Sequence, residues 1–168
     1  PVAIRKFTHE QEMMIGFPNG STWQVVGSDN YNSLMGTSYA GMVMSEYALS
    51  NPSAWGYFSP ILMENDGWAL FISTPRGKNH FYDLHCAARR DAGWFHQSLS
   101  NHQTQVFTPE QMEDELREMQ AQHGEQYGQS FFEQEYHVSF EAAIMGSIWG
   151  DCVDTAVRED RVTEFALD

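Results

Sequence analysis

Two short apolar runs, separated by one helix-length segment, limit what this chain can fold into more than any other feature. Gly41-Met42-Val43-Met44 leads into Ser45-Glu46, and Trp68-Ala69-Leu70-Phe71-Ile72 leads into Ser73-Thr74-Pro75. Continuous apolar runs of this length suit buried strands. Between them, Asn51-Pro52 opens a helix through about Met63, in which Ala54, Trp55, Phe58, Ile61 and Leu62 share one face. Asp66-Gly67 turns the chain into the second run. A further helix follows from about Lys78 to Arg90, and Trp94–Leu99 reads as a third strand. The order strand–helix–strand–helix–strand predicts an α/β fold with a mainly parallel sheet flanked by helices.

On either side of this unit the signals are more local. Residues 13–17, the turn Pro18-Asn19-Gly20 and Thr22–Val26 read as a hairpin, followed by a polar loop over 27–38. Thr108-Pro109-Glu110-Gln111 is a capping box that opens a helix ending near Gly124. A second helix is expected over about 126–135, an apolar stretch packing back on the body over 138–149, and a short acidic helix or linker from Asp151. The expected organisation is a body over 1–107, a small helical subdomain over 108–150 and an acidic linker over 151–168.

Composition excludes several functional classes. With 168 residues, 42% of them hydrophobic, the chain can build a core. Nothing approaches the run of roughly 20 apolar residues that a membrane span needs, so no membrane role is expected. The opening Pro1-Val2-Ala3-Ile4-Arg5-Lys6 has no secretory h-region, and Pro1 is expected to follow a removed Met or further upstream residues. Cys86 and Cys152 match no metal spacing and suggest a reducing, cytoplasmic setting. Residues 1–107 hold 8 acids and 6 Lys/Arg, whereas residues 108–168 hold 15 acids and 3 Lys/Arg. Duplex DNA repels a surface like the latter, because affinity for DNA comes from cations that neutralise phosphates. That segment reads as a solvated acidic face, with docking onto a basic partner as the alternative. The His residues are scattered, and His80 and His85 miss the i,i+4 spacing of a helical metal site. The Met residues at 42 and 44, the Trp residues and Cys86 read as core.

Two places carry possible chemistry. An apolar strand ending in Ser45-Glu46 puts a carboxylate at the carboxyl end of a sheet, where ligands gather, and such a Glu can polarise an attacking water. The plainer reading is a strand-terminal surface residue. The second place is Ser73-Thr74-Pro75-Arg76-Gly77-Lys78-Asn79-His80. Its hydroxyls can sense a neighbouring phosphate, and Arg76 and Lys78 are candidate phosphate contacts. Alternatively Thr74 or Asn79 caps the next helix and the two cations are solvated turn residues.

Taken in order, these blocks resemble the terminase large subunit family of bacteriophages, the motors of viral DNA packaging. The resemblance runs from about residue 11 to 150. It rests most on Ser73-Thr74-Pro75-Arg76-Gly77-Lys78-Asn79-His80 and on Gln134-Glu135-Tyr136 with Phe140-Glu141-Ala142-Ala143. It implies the later strands of a P-loop ATPase followed by a small helical lid, with ATP and Mg2+ as cofactors. Glu46 matches the family's catalytic Glu beside the Walker B strand, with Ser45 next to the Mg2+ position. Ser73, Thr74 and Pro75 match the motif that couples hydrolysis to movement. The implied partners are the portal, the small terminase subunit, double-stranded DNA, further copies of the chain and the remaining N-terminal ATPase segment. The implied setting is the cytoplasm of an infected bacterium.

Four departures stand beside the resemblance. The chain contains no Gly-x-x-x-x-Gly-Lys-Ser/Thr loop, so it has no backbone cradle for phosphates. Ser45 stands where the family has an Asp, and Met35 where it has an arginine-finger candidate. The nuclease domain lies beyond this sequence. The leading expectation is therefore a partial packaging ATPase, inactive alone. A non-catalytic remnant or assembly module is the alternative, and an unrelated α/β enzyme using Glu46 as a base is a third. A sheet lacking its first P-loop unit is also expected to leave a face or edge uncovered and prone to self-association.

Overall fold

The computed structural model describes residues 6–34, 36–141 and 150–162. The chain divides into two compact units, one formed by Pro1–Met44 with Ser50–Phe71 and the other by Ser45–Leu49 with Ile72–Asp168.

The first unit opens with strands β1 (Phe7–His9), β2 (Met14–Gly16) and β3 (Thr22–Gln24). They form an antiparallel meander in the order β1-β2-β3, with Phe7 opposite Gly16 and Ile15 opposite Trp23. The β2–β3 hairpin matches the sequence expectation, while β1 carried too short a pattern to be read. Its turn closes through the Gly20 amide on the Phe17 carbonyl at 3.0 Å, and Gly20 adopts φ 87°. Asn19 Oδ1 accepts from the Ser21 amide at 3.1 Å, the local bond that favours Asn in turns. At Gly16 a Cβ would lie 2.2 Å from the half-exposed Phe7 ring, which covers the glycine and would have to swing aside.

Strand β4 (Gly41–Ser45), helix α1 (Ser53–Glu64) and strand β5 (Trp68–Ile72) follow as a β–α–β succession. β4 and β5 are neighbours in a parallel pair, the expected α/β arrangement. Asn51 Oδ1 accepts from the Ser53 amide at 2.9 Å where α1 begins. Ala54, Phe58 and Leu62, spaced by four, are its buried positions. Trp55 packs edge-on against Phe71 of β5, with ring centroids 4.8 Å apart. The indole of Trp68 lies over Gly41, where any Cβ would collide with it at 2.2 Å.

Two expectations are corrected here. β5 is not buried on both faces: Trp68, Leu70 and Ile72 are 55%, 44% and 51% exposed, alternating with half-buried Ala69 and Phe71. Val43 of β4 is exposed as well, so among the described residues one face of this pair lacks a cover. An unbroken apolar run does not distinguish a strand buried on both sides from one whose second face awaits a partner. Trp94–Leu99 is not a third strand. The Gly93 amide bonds to Asp91 Oδ1 at 2.8 Å and the Trp94 amide to the Asp91 carbonyl at 3.1 Å, so a turn holds the segment's start. His96 then bonds to a helix side chain, and Phe95 is 82% exposed.

The second unit contains α2 (His80–Ala88), α3 (Asn101–Thr104), α4 (Pro109–His123), α5 (Glu125–His137) and α6 (Gly150–Arg158). The expected capping box at the start of α4 is present: Thr108 Oγ1 accepts from the Gln111 amide at 3.3 Å, and Gln111 Oε1 from the Thr108 amide at 2.9 Å. Gly124, at φ 85°, joins α4 directly to α5. Close packing of the two helices passes through Gly128, where a Cβ would lie 2.5 Å from the Gln120 Cα. Phe132 and Gln134 are the buried large side chains of α5. The expected apolar return over 138–149 is described only to residue 141, where Phe140 meets the rings of Phe81, Tyr82 and His85.

Candidate functional site

Glu46 directly follows β4 and is exposed, with backbone φ 52°. For a side chain with a Cβ this left-handed conformation costs roughly 1–2 kcal/mol, so neighbouring bonds must hold it. Its carbonyl accepts from the Leu49 amide at 2.9 Å, closing the single 3-10 turn Tyr47–Leu49. Tyr47 and Ala48 are buried, and burial pushes the Tyr47 phenol above its ordinary range.

This turn is gripped by the loop that follows β5. Ser73 Oγ accepts from the Ala48 amide at 3.0 Å and donates to the Thr74 carbonyl at 3.0 Å. Asn79 Nδ2 donates to the Ala48 carbonyl at 2.9 Å, while its Oδ1 accepts from the Phe81 amide at 3.0 Å and caps α2. His80 Nε2 lies 2.8 Å from the Tyr47 carbonyl. A carbonyl only accepts, so Nε2 carries the proton in that bond. The His80 ring also meets Tyr47 edge-on, with centroids 4.8 Å apart. Both amide groups flanking Ala48 are thereby satisfied by side chains, which fixes the backbone that carries Glu46.

The structure thus unites residues that the sequence separates by about thirty positions. Ser73 joins the Glu46 turn directly, whereas Thr74 and Pro75 shape the loop, with Pro75 buried. Ser45 is exposed at the end of β4. Met35 and the block's Ala142-Ala143 lie outside the described residues. Asn79 as a helix cap was legible in the sequence. Its second bond to Ala48, and the bond from His80 to Tyr47, carried no signal there.

Arg76 and Lys78, the candidate phosphate contacts, are both engaged. Arg76 Nη1 lies 2.6 Å from Glu135 Oε1, and its guanidinium sits 5.7 Å from the centre of the Phe131 ring. Among the described residues the buried Arg76 Nε has no hydrogen-bond partner. Lys78 Nζ lies 2.7 Å from Glu141 Oε2 in an exposed pair. Gly77 between them is buried at φ 63°, a conformation that favours glycine.

As a nucleotide site these residues fit in part. They offer an exposed carboxylate on a fixed backbone, an exposed hydroxyl at Ser45 and two cations held by carboxylates, but no backbone cradle for a phosphate chain. Among the described residues no group of three or more His, Cys, Asp or Glu side chains is arranged to hold a metal ion. A separate cleft of about 260 Å³ lies along α4 and α5, lined by Phe107, Met112, Glu115 and Tyr136 among others. It includes none of the residues above, is smaller than most small-molecule sites, and has an acidic wall.

Known proteins share both sequence and fold with this chain. The terminase large subunits of Thermus phage G20c and Thermus virus P23-45 are each 30% identical to it over 87 residues, which is 48% of this chain and 18% of theirs. The chain is a homologue of phage terminase large subunits. Its fold matches the ATPase domain of the large terminase of Thermus phage P74-26. One solved structure, of a point mutant, gives a TM-score of 0.60 at 19% identity, covering 83% of this chain and 65% of that one. A second structure of the same domain gives 0.54 at 19% identity, with 83% and 64% covered. No protein-family model matches the chain. This terminase homologue therefore spans under a fifth of the large subunits it matches in sequence, and slightly under two thirds of the solved ATPase domain. No helix among its described residues is long and apolar enough to cross a membrane.

Proposed function

We propose that this chain is the part of a viral DNA-packaging ATPase that carries the catalytic Glu46 and the coupling loop Ser73-Thr74-Pro75. The observation that carries this reading is the set of bonds tying the Glu46 turn to that loop: Ser73 and Asn79 on the two backbone groups of Ala48, and His80 on Tyr47. A carboxylate held on a strained, fixed backbone beside a sheet end suits orienting a water for attack. ATP and Mg2+, when bound, supply the bond to be broken and the cation that neutralises its charge. Ser45 offers a neutral oxygen near that cation, and Arg76 and Lys78 offer charge for phosphate. Residues 108–150 act as a lid, and residues 151–168 form the linker beyond it. The phosphate-binding loop comes from an N-terminal ATPase segment outside this sequence. The assembled motor acts at the portal with the small subunit, further copies of the chain and double-stranded DNA, in the cytoplasm of an infected bacterium.

A second reading, a non-catalytic assembly module, is favoured by one specific observation. Both candidate phosphate cations are neutralised by carboxylates, and Ser45 supplies no charge. The two readings separate in a reconstituted motor. There Glu46→Gln is expected to lower ATP turnover by roughly 10²–10⁴-fold with folding intact. Unchanged turnover removes Glu46 from the mechanism and leaves the assembly reading.

A further inference from the structure

The two cations of the 73–78 loop are held by acids from elsewhere in the second unit. Arg76 is paired with Glu135 of α5 at 2.6 Å, with side chains 32% and 23% exposed, and Lys78 with Glu141 at 2.7 Å. The first pair is the more consequential. It is only partly hydrated, its guanidinium also faces the Phe131 ring of the same helix, and Arg76 Nε is buried with no hydrogen-bond partner among the described residues. A guanidinium with one unused buried N–H is better satisfied by a phosphate than by this carboxylate, because a phosphate presents three acceptor oxygens. The loop bearing Arg76 also grips the Glu46 turn through Ser73 and Asn79. A continuous chain of bonds therefore runs from α5 to Glu46.

We infer that Glu135 is a gate on Arg76: it occupies the guanidinium until a phosphate-bearing ligand displaces it, and the exchange releases α5 from the loop. This rests on the proposal that Arg76 and Lys78 meet phosphate, and it adds what they meet in its absence and what moves when it arrives. The ligand class is a phosphate chain, whether from a nucleotide or from a nucleic-acid backbone. Glu141 assists less, since its pair with Lys78 is largely exposed and such pairs are weak.

The test uses the full chain, with pyrophosphate as the probe. Affinity is read by titration calorimetry, and release of α5 by amide hydrogen exchange. Glu135→Gln is expected to bind pyrophosphate about tenfold or more tightly than the unaltered chain, since a lost charge-assisted bond is worth roughly that factor. In the unaltered chain pyrophosphate is expected to speed exchange in α5. Arg76→Gln is expected to abolish binding and to leave α5 exchanging fast without any ligand. Glu125→Gln removes one charge from the same helix and is expected to change nothing. Equal affinity in Glu135→Gln and the unaltered chain overturns the gate. So does an equal gain in Glu125→Gln, or α5 exchange that ignores pyrophosphate. Should Glu135→Gln fail to fold, Glu135→Asp keeps the charge but withdraws it by one methylene, and an intermediate gain is expected. Parallel titrations with ATP and with a short DNA duplex identify the phosphate source, since the true source shows the Glu135→Gln gain. Pyrophosphate binding is read without turnover, so a motor in which Glu46 proves dispensable leaves this inference standing.

Discussion

Asn79 holds Ala48 across 31 residues of sequence: its amide nitrogen donates to the Ala48 carbonyl at 2.9 Å while its oxygen caps α2 through the Phe81 amide at 3.0 Å. One side chain thus fixes the start of a helix and the backbone two residues beyond Glu46. Ser73 completes the grip from the amide side of Ala48. Such a link makes the turn and α2 move together, because a buried carbonyl deprived of its donor costs free energy.

Two substitutions divide the two roles of Asn79. Asn79→Ala removes cap and link together and is expected to destabilise the fold by about 2 kcal/mol, from roughly 1 kcal/mol for each bond. Asn79→Asp keeps an acceptor for the Phe81 amide, with a charge suited to a helix N-terminus, but cannot donate to Ala48. It is expected to cost about 1 kcal/mol. Urea denaturation of both variants provides the check. Equal losses would mean that the cap on the Phe81 amide contributes nothing, and an Asn79→Asp variant as stable as the native chain would mean that the bond to Ala48 contributes nothing.

Glu46 sits in left-handed backbone that glycine adopts without steric cost. Glu46→Gly is expected to raise stability by about 0.5 kcal/mol, as relief of strain exceeds the added freedom of the unfolded chain. Glu46→Val, β-branched, is expected to lower stability. A melting comparison of the two decides. A glycine variant less stable than the native chain would show that the Glu46 side chain contributes to folding and is not merely tolerated there.

Much of this was legible in the sequence, for reasons that differ by element. The capping box at Thr108, the turn at Asp66-Gly67 and helix α1 depend on neighbours within four residues, and such chemistry is written locally. The α/β order followed from two apolar runs around a helix. The exposure of Trp68, Leu70 and Ile72 did not, since a face that lacks a cover has the same composition as one that has it. The Trp94–Leu99 strand failed because the Gly93 and Trp94 amides close a turn on Asp91 and His96 bonds to His85 of α2, so the segment forms no ladder. At the candidate site, Glu46, Ser73 and the Arg76–Lys78 pair were each visible as residue types at strand ends. What joins them is long-range: Asn79 to Ala48, His80 to Tyr47, Arg76 to Glu135. Nothing in the local sequence names a partner that distant.

His85 of α2 gives the second unit a dependence on pH. Its Nδ1 lies 3.0 Å from His96 Nε2, and its ring packs on Phe140 at 4.9 Å. Burial first, then the neighbouring charges of His96 and Arg89, lower its pKa from the usual 6.5. A lowered folded value means that the unfolded chain takes up the proton first. The associated stability is therefore fully present above about pH 6.5 and is lost as pH falls through the lowered folded value. His85→Phe keeps an aromatic ring against Phe140 but cannot titrate. Urea midpoints measured from pH 7.5 downward are expected to fall less steeply in this variant. Parallel curves would exclude His85 as the source of the slope.

Gly128 offers the most direct test of how the α4–α5 hairpin is held. The chain reverses through Gly124 alone, so α5 starts against the last turns of α4 and must approach it closely. At Gly128 the approach is backbone to backbone: a Cβ would lie 2.5 Å from both the Cα and the amide nitrogen of Gln120. Neither atom can swing aside as a side chain would, so the helices must separate to admit even a methyl group. Gly128→Ala would gain roughly 1 kcal/mol of helix propensity in an isolated helix. Here the clash is expected to outweigh that gain, with a net loss of about 1–3 kcal/mol. Gly56 is exposed on α1 with open space around it, and Gly56→Ala, which carries the same propensity gain, is expected to stabilise instead. Opposite signs for the two variants in one denaturation experiment would tie the cost at Gly128 to the helix contact. A stabilising Gly128→Ala would mean that α4 and α5 do not pack at this distance in solution, and that Glu135 does not reach Arg76 from a rigid hairpin.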